Sequence, residues 1–100
     1  MEQNLLRFSG VIEKIYPRRM SPAGIAHQDF LMRHRSKQTE AGAAREVHLV
    51  LKVHVAADLV DALRPFGLGD RVETMGFLAT ASHRDQEQLV LHAQSLHRQD

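Results

Sequence analysis

The chain has 100 residues, is 43% hydrophobic, contains no cysteine and carries a formal net charge of +1 at pH 7. That length fits one domain over residues 1–100, small enough that self-association is a natural way to bury more surface, and the apolar share argues against disorder. Without cysteine there is no disulfide framework and no thiolate metal site; with no leader pattern at the start and no run approaching ~18 apolar residues, a soluble cytoplasmic protein without a membrane segment is expected.

Residues 6–13, LRFSGVIE, alternate as a strand with Leu6, Phe8 and Ile12 on one face. Gly10 inside it predicts a bulge or sharp bend, as needed where a strand coils around a small barrel. Residues 16–26 read as loop, with Pro17 and a Ser21-Pro22-Ala23-Gly24 turn that carries Pro at its second position. Residues 29–37 alternate again: Phe30, Met32 and His34 share one face, and Leu31, Arg33, Arg35 and Lys37 share the other. Residues 38–44 form a polar, small-residue connection around Gly42.

The strongest strand is 47–55, with Val47, Leu49, Leu51, Val53 and Val55 on one side and His48, Val50, Lys52 and His54 on the other. Across 56–63 the alternation fails. Leu59, Val60 and Leu63 fit one face of a short helix there, with Asp58 as its N-cap. Pro65 ends the helix and Gly67 and Gly69 turn the chain. Residues 71–79 and 89–96 read as two more strands, joined by a polar hairpin tip at 83–88.

Five strands with one short helix between the third and fourth is the order of an all-β, five-stranded OB-fold barrel. The Gly69-Asp70 turn, entering a strand that carries Gly76, suits the start of the fourth strand. An SH3-like small barrel is the main competitor, and it usually lacks the helix.

The net charge conceals an asymmetry. Residues 1–55 hold nine Lys/Arg against five Asp/Glu, and residues 56–100 hold four against seven. Lysine is scarce (Lys14, Lys37, Lys52) and arginine supplies the other cations. Arginine binds phosphate bidentately and stacks on bases, although a GC-rich genome produces the same bias. Arg33, Arg35 and Lys37 at spacing two present three cations along about 13 Å of one strand face, flanked by Arg18, Arg19 and Arg45 at loop positions. Such a row can track a single-stranded backbone, and neutralising about four to six phosphates makes binding strongly salt-dependent. The same row also serves as a solvated face that resists edge-to-edge pairing, and the charges do not choose between these uses.

Stacking partners are fewer. The chain has no Trp, Phe8 and Phe30 fall on core faces, and Tyr16, the one aromatic expected in a loop, suits packing over the barrel end better than stacking, leaving His48 and the arginine planes. No catalytic pattern stands out: the serines lie outside any nucleophile-elbow context, and neither a P-loop nor a strand–GxGxxG–helix is present. His48 and His54 share a strand face but lie about 20 Å apart along it. His34, His83 and His92 meet only if folding brings them together, and no HxH or HExxH spacing occurs. A non-catalytic protein without cofactor or metal is expected.

Ser21-Pro22-Ala23-Gly24-Ile25, His34-Arg35-Ser36, Glu40-Ala41-Gly42, Gly76-Phe77 and Val90-Leu91-His92-Ala93 closely resemble motifs of primosomal replication protein N, the PriB family. That family is related to bacterial single-stranded DNA-binding protein, and the resemblance runs nearly end to end. It implies a homodimer of OB-folds that binds single-stranded DNA, stabilises the restart helicase on a stalled fork and helps recruit the next primosomal protein, without catalysis. It also implies DNA contacts at Arg19, Arg35 and Arg45, which match basic positions of the family. Two aromatic positions of the family are Ala43 and His48 here, and the last hairpin, often lysine-rich in the family, keeps only Arg84 as a fixed cation beside Asp85 and Glu87. The expected nucleic-acid-binding set is Arg19, Arg33, Arg35, Lys37, Arg45, His48, Lys52 and Arg84. The alternative expectation is an OB-fold adaptor of the primosome with little intrinsic DNA binding, favoured by the short aromatic inventory and the acidic hairpin.

Overall fold

The alternation that starts at Leu6 carries past Glu13, and in the computed structural model, which describes residues 1–100, strand β1 runs Leu6–Ile15. Ile12 is fully buried, and Leu6 and Phe8 pack against the same core. The register against the neighbouring strand slips between Ile12 and Lys14, so the bulge lies there and not at Gly10. Gly10 serves close approach instead. A Cβ at this position would run into the backbone carbonyl of Arg33, and one at Gly76 would run into that of His92.

The loop expected over 16–26 holds for 16–25 except for the two-residue strand β2 (Arg19–Met20), which pairs with the start of β3 (Ala26–Glu40). Strand β4 (Ala43–Ala56) runs antiparallel to β3 without a register break, from His27↔Ala56 to Glu40↔Ala43. The connection expected at 38–44 is therefore only Ala41-Gly42, whose φ values of 52° and 79° are those of a type I′ hairpin turn. Residues 38–40 and 43–46 are exposed on both sides of this ribbon, which is why they lack the alternation of a half-buried strand.

Helix α1 (Asp58–Leu63) follows β4. Its N-cap is Ala57, at φ 55° and with no side-chain cap, so Asp58 is the first helical residue and not the cap. Asp58 and Asp61 still place negative charge at the positive end of the helix dipole. Val60 and Leu63 are buried in the core. The Gly69-Asp70 turn then leads into β5 (Arg71–Thr80), held by the Gly67 N–H donating to Asp70 Oδ2 at 2.9 Å. Strand β6 (Leu89–Arg98) completes the set.

The strands pair in the order β1-β5-β6-β4-β3, and β1 pairs back onto β3 to close a five-stranded barrel, with β2 as an appendage. The closure includes one parallel seam, Lys52↔Val90 to His54↔His92, between β4 and β6. This is the OB-fold barrel expected from the element order, with its helix between β4 and β5 once the short β2 is counted. Phe30, Met32, Val53, Val55, Val72 and Leu91 fill the barrel and are wholly buried. The one buried polar side chain, Thr74, donates from Oγ1 to the Phe8 carbonyl at 3.0 Å.

The apolar row read along β4 breaks at Leu51. Val53 and Val55 are buried, Leu51 is partly covered, and Leu49 is 39% exposed. His34, opposite Leu49, still stacks on Phe8 and hydrogen-bonds the Ser9 carbonyl; beyond it the β3–β4 ribbon projects past the barrel, so neither face has a core beneath it. A 15-residue strand at about 3.3 Å per residue accounts for the 50 Å long axis of the molecule. No helix is long and apolar enough to cross a membrane.

Candidate nucleic-acid interface

Residues directly opposite each other in an antiparallel pair point to the same side. The register Arg33↔Val50, Arg35↔His48 and Lys37↔Glu46 therefore places Arg33, Arg35, Lys37 and His48 together on the outward face of the ribbon. Leu31↔Lys52 sets Lys52 on the same face, nearer the barrel. Arg33 is ion-paired to Glu13, which reaches across from β1. Arg35, Lys37 and Lys52 have no carboxylate within ion-pair distance. His48 Nε2 lies 3.7 Å from Glu46 Oε2. Lys52 Nζ sits 5.2 Å and Lys14 Nζ 4.6 Å from the centre of the Tyr16 ring, so Tyr16 is capped by two cations.

The other predicted cations separate from this row. Arg45 is not in a loop; it lies on β4 opposite Gln38, hence on the reverse face of the ribbon, and its Nη1 donates to Glu40 Oε1 at 2.8 Å. Arg19 is likewise on a strand, β2, where its Nη1 donates to Asp29 Oδ2 at 3.3 Å. Arg84 stands in the exposed 81–88 segment with no acidic partner. That segment is shaped by the Asp85 N–H donating to Ser82 Oγ and the Gln88 N–H donating to Asp85 Oδ1, both at 3.2 Å.

Below the cation row, the barrel wall carries a feature that pattern reading missed. His27 on β3, His54 on β4 and His92 on β6 come together although they are far apart in sequence. The His27 and His54 rings stack with centres 5.2 Å apart, His54 and His92 lie 5.0 Å apart, and Phe77 on β5 stacks on His92 at 5.1 Å with only 5° between planes. The phase of His27 and Asp29 with Arg33 was a usable signal for the outward face. The β4–β6 register that adds His92 was not legible.

Asp29 anchors the group. Burial pushes its carboxyl up, but the hydrogen bond and charge of His54, joined by the Arg19 guanidinium, outweigh burial and hold Asp29 below its ordinary value. An ionised carboxylate only accepts, so His54 Nδ1–H donates to Asp29 Oδ1 at 2.7 Å. The other nitrogen of His54, Nε2, lies within hydrogen-bond distance of His27 Nδ1, at 3.1 Å. Burial, with repulsion from His54, pushes the His92 imidazole below its ordinary value against the pull of Asp29. No group of three or more His, Asp or Glu side chains is arranged to hold a metal ion.

A barrel with a cation row and an array of rings on one wall can be compared with known proteins on those terms. A family described as another single-strand binding protein family matches residues 4–95. A replication restart protein PriB from Photorhabdus laumondii is 36% identical over 98 residues, covering 96% of this chain and 93% of that protein. The chain belongs to the PriB family of single-strand binding proteins. This is the family to which the SPAGI and HRS motifs pointed. PriB of Ralstonia solanacearum has the same fold at a TM-score of 0.87 and 24% identity, covering 99% of this chain and all of that one. The single-stranded DNA binding protein of Thermus aquaticus matches at 0.77 and 16% identity, over 98% of this chain and 50% of its own length. At those identities the PriB barrel itself is what the structures have in common.

Proposed function

We propose that this PriB-family chain binds single-stranded DNA along the outward face of β3 and β4 and serves replication restart as a non-catalytic accessory. It acts over residues 1–100 as one OB-fold unit, as a homodimer in the cytoplasm, and on DNA it stabilises the restart helicase and helps recruit later primosomal proteins. The observation that carries the reading is the pair of uncompensated cations Arg35 and Lys37 on one exposed face of a single-strand-binding barrel. Phosphates lie on Arg35, Lys37 and Lys52, and a base stacks on His48 beside Arg35. Arg33 contributes less because Glu13 already neutralises it. Arg19 and Arg84 contact the strand at either end of its path. Arg45 meets DNA only where the strand wraps over the ribbon edge, because it faces the other way. A fluorescent oligonucleotide titrated at two salt concentrations tests this: affinity falls steeply with salt and falls again in Arg35→Ala. A flat salt response, or an unchanged Arg35→Ala, overturns it.

A second reading, a primosomal adaptor with little DNA binding, is favoured by one observation. Leu49 and Val50 are both exposed on opposite faces of the ribbon, and such surface suits a protein partner. A pull-down of the restart helicase with and without DNA separates the two: retention that does not depend on DNA, by a protein that binds no oligonucleotide, selects the adaptor.

A further inference from the structure

Four rings from four different strands cross the barrel wall in sequence: Phe77, His92, His54 and His27. None of them is part of the enclosed core, and Phe77 is 37% exposed. Phe77 therefore stands as a large apolar ring on the outer surface, with one face on His92 and the other turned away from the array. Beside the rings lies an open cleft of about 370 Å³ that Arg19 and Lys52 border and His54 and His92 line.

We propose that this cleft is a nucleobase-binding subsite, in which an unstacked base packs against His54 and His92, the latter backed by Phe77, while its flanking phosphates lie on Arg19 and Lys52. The proposal rests on the single-stranded DNA reading above and supplies the stacking surface that Ala43 and His48 leave short. Three features of the geometry support a base as occupant. His54 and His27 are held in place before any ligand arrives, because Arg19 fixes Asp29, Asp29 fixes His54 and His54 fixes His27, and His92 is packed between Phe77 and His54, so binding orders little that was mobile. Neither His92 nitrogen is engaged within the protein, so one donor and one acceptor of a neutral imidazole are free for the edge of a base. Cations bordering an aromatic platform are also the arrangement by which sequence-tolerant binders hold a strand.

The charged and titratable groups facing the cleft are Arg19 from β2, His27 and Asp29 from β3, Lys52 and His54 from β4 and His92 from β6, with Phe77 of β5 behind His92 and outside the cleft lining. A metal ion is a poorer occupant, since both nitrogens of His54 are already committed to Asp29 and His27.

The test compares two ligands of equal length and charge, an oligothymidine and a strand of abasic linkers, on the wild type and on Phe77→Leu, His92→Gln and Arg35→Ala. The wild type prefers the strand with bases. Phe77→Leu, which keeps apolar bulk but removes the ring that backs His92, cuts that preference about tenfold. His92→Gln cuts it in the same direction, and abasic binding stays unchanged in both. Arg35→Ala weakens both ligands alike. A thermal melt of each variant confirms folding, and His92→Gln decides the matter if Phe77→Leu does not fold. Wild-type preference retained in the folded variants overturns the subsite and leaves DNA binding standing. A wild type that binds neither ligand overturns both.

Discussion

His54 Nδ1 lies 2.7 Å from Asp29 Oδ1, a contact that joins neighbouring strands across the outer wall of the barrel and fixes which atom of the imidazole carries the proton. Because Asp29 sits below its ordinary 3.8 in the folded chain, the unfolded chain binds more protons in the window just beneath that value. The stabilisation is complete above 3.8 and is lost as pH falls through the folded value. Urea denaturation at neutral and at acid pH is expected to show a steeper loss of stability for the wild type than for Asp29→Asn. Parallel curves refute this.

His92 gives the corresponding effect at higher pH. Its folded value lies below the ordinary 6.5, so on acidification the unfolded chain takes up a proton before the folded chain does. Stability is unaffected well above 6.5 and falls as pH drops through that value. Melting temperatures taken between about pH 7.5 and pH 5.5 therefore decline in the wild type. His92→Gln narrows the decline, and an equal decline in both proteins counts against the assignment.

Glu13 is an internal competitor for phosphate. Its ion pair with Arg33 neutralises one cation of the row, so Glu13→Gln releases that guanidinium to DNA. Affinity for single-stranded DNA is expected to rise, and the slope of log affinity against log salt to steepen by about 0.7, the value for one added phosphate contact. An unchanged slope in the titration means that Arg33 does not face the strand.

Gly10 and Gly76 are expected to be intolerant of even one methyl group. In each case the added Cβ meets a backbone carbonyl, of Arg33 or of His92, and backbone has little room to give. Gly10→Ala and Gly76→Ala should each cost about 2–3 kcal/mol in chemical denaturation, the upper range for overpacking. A loss within experimental error shows that the strands can move apart.

What the sequence made legible follows from where each residue's neighbours come from. Phe30, Met32, Val53 and Val55 announced themselves because each strand there has one face on the core and one in water. The same rule fails for 38–40 and 43–46, which pair with each other in open solvent and so show no alternation. Asp58 looked like a cap, yet the backbone takes a positive φ at Ala57 and closes the helix start without a side chain. The cation row was visible because spacing two along one strand is a local property. Its partial neutralisation by Glu13, the reversal of Arg45 and the meeting of His27, His54 and His92 all depend on register between strands, which a linear pattern does not encode.

The projecting ribbon has a mechanical consequence. Arg35 stands at the root of this ribbon, beside Ser9, Gly10 and Arg71 of the barrel, and Lys37 stands further along it, where both faces are exposed. Such a segment opens and twists at a free-energy cost well below that of unfolding the barrel. These free charges are thus mounted on or next to a part more compliant than the barrel. They can follow the changing curvature of a flexible strand while the barrel, with its ring array, stays fixed as the reference point for the rest of the path.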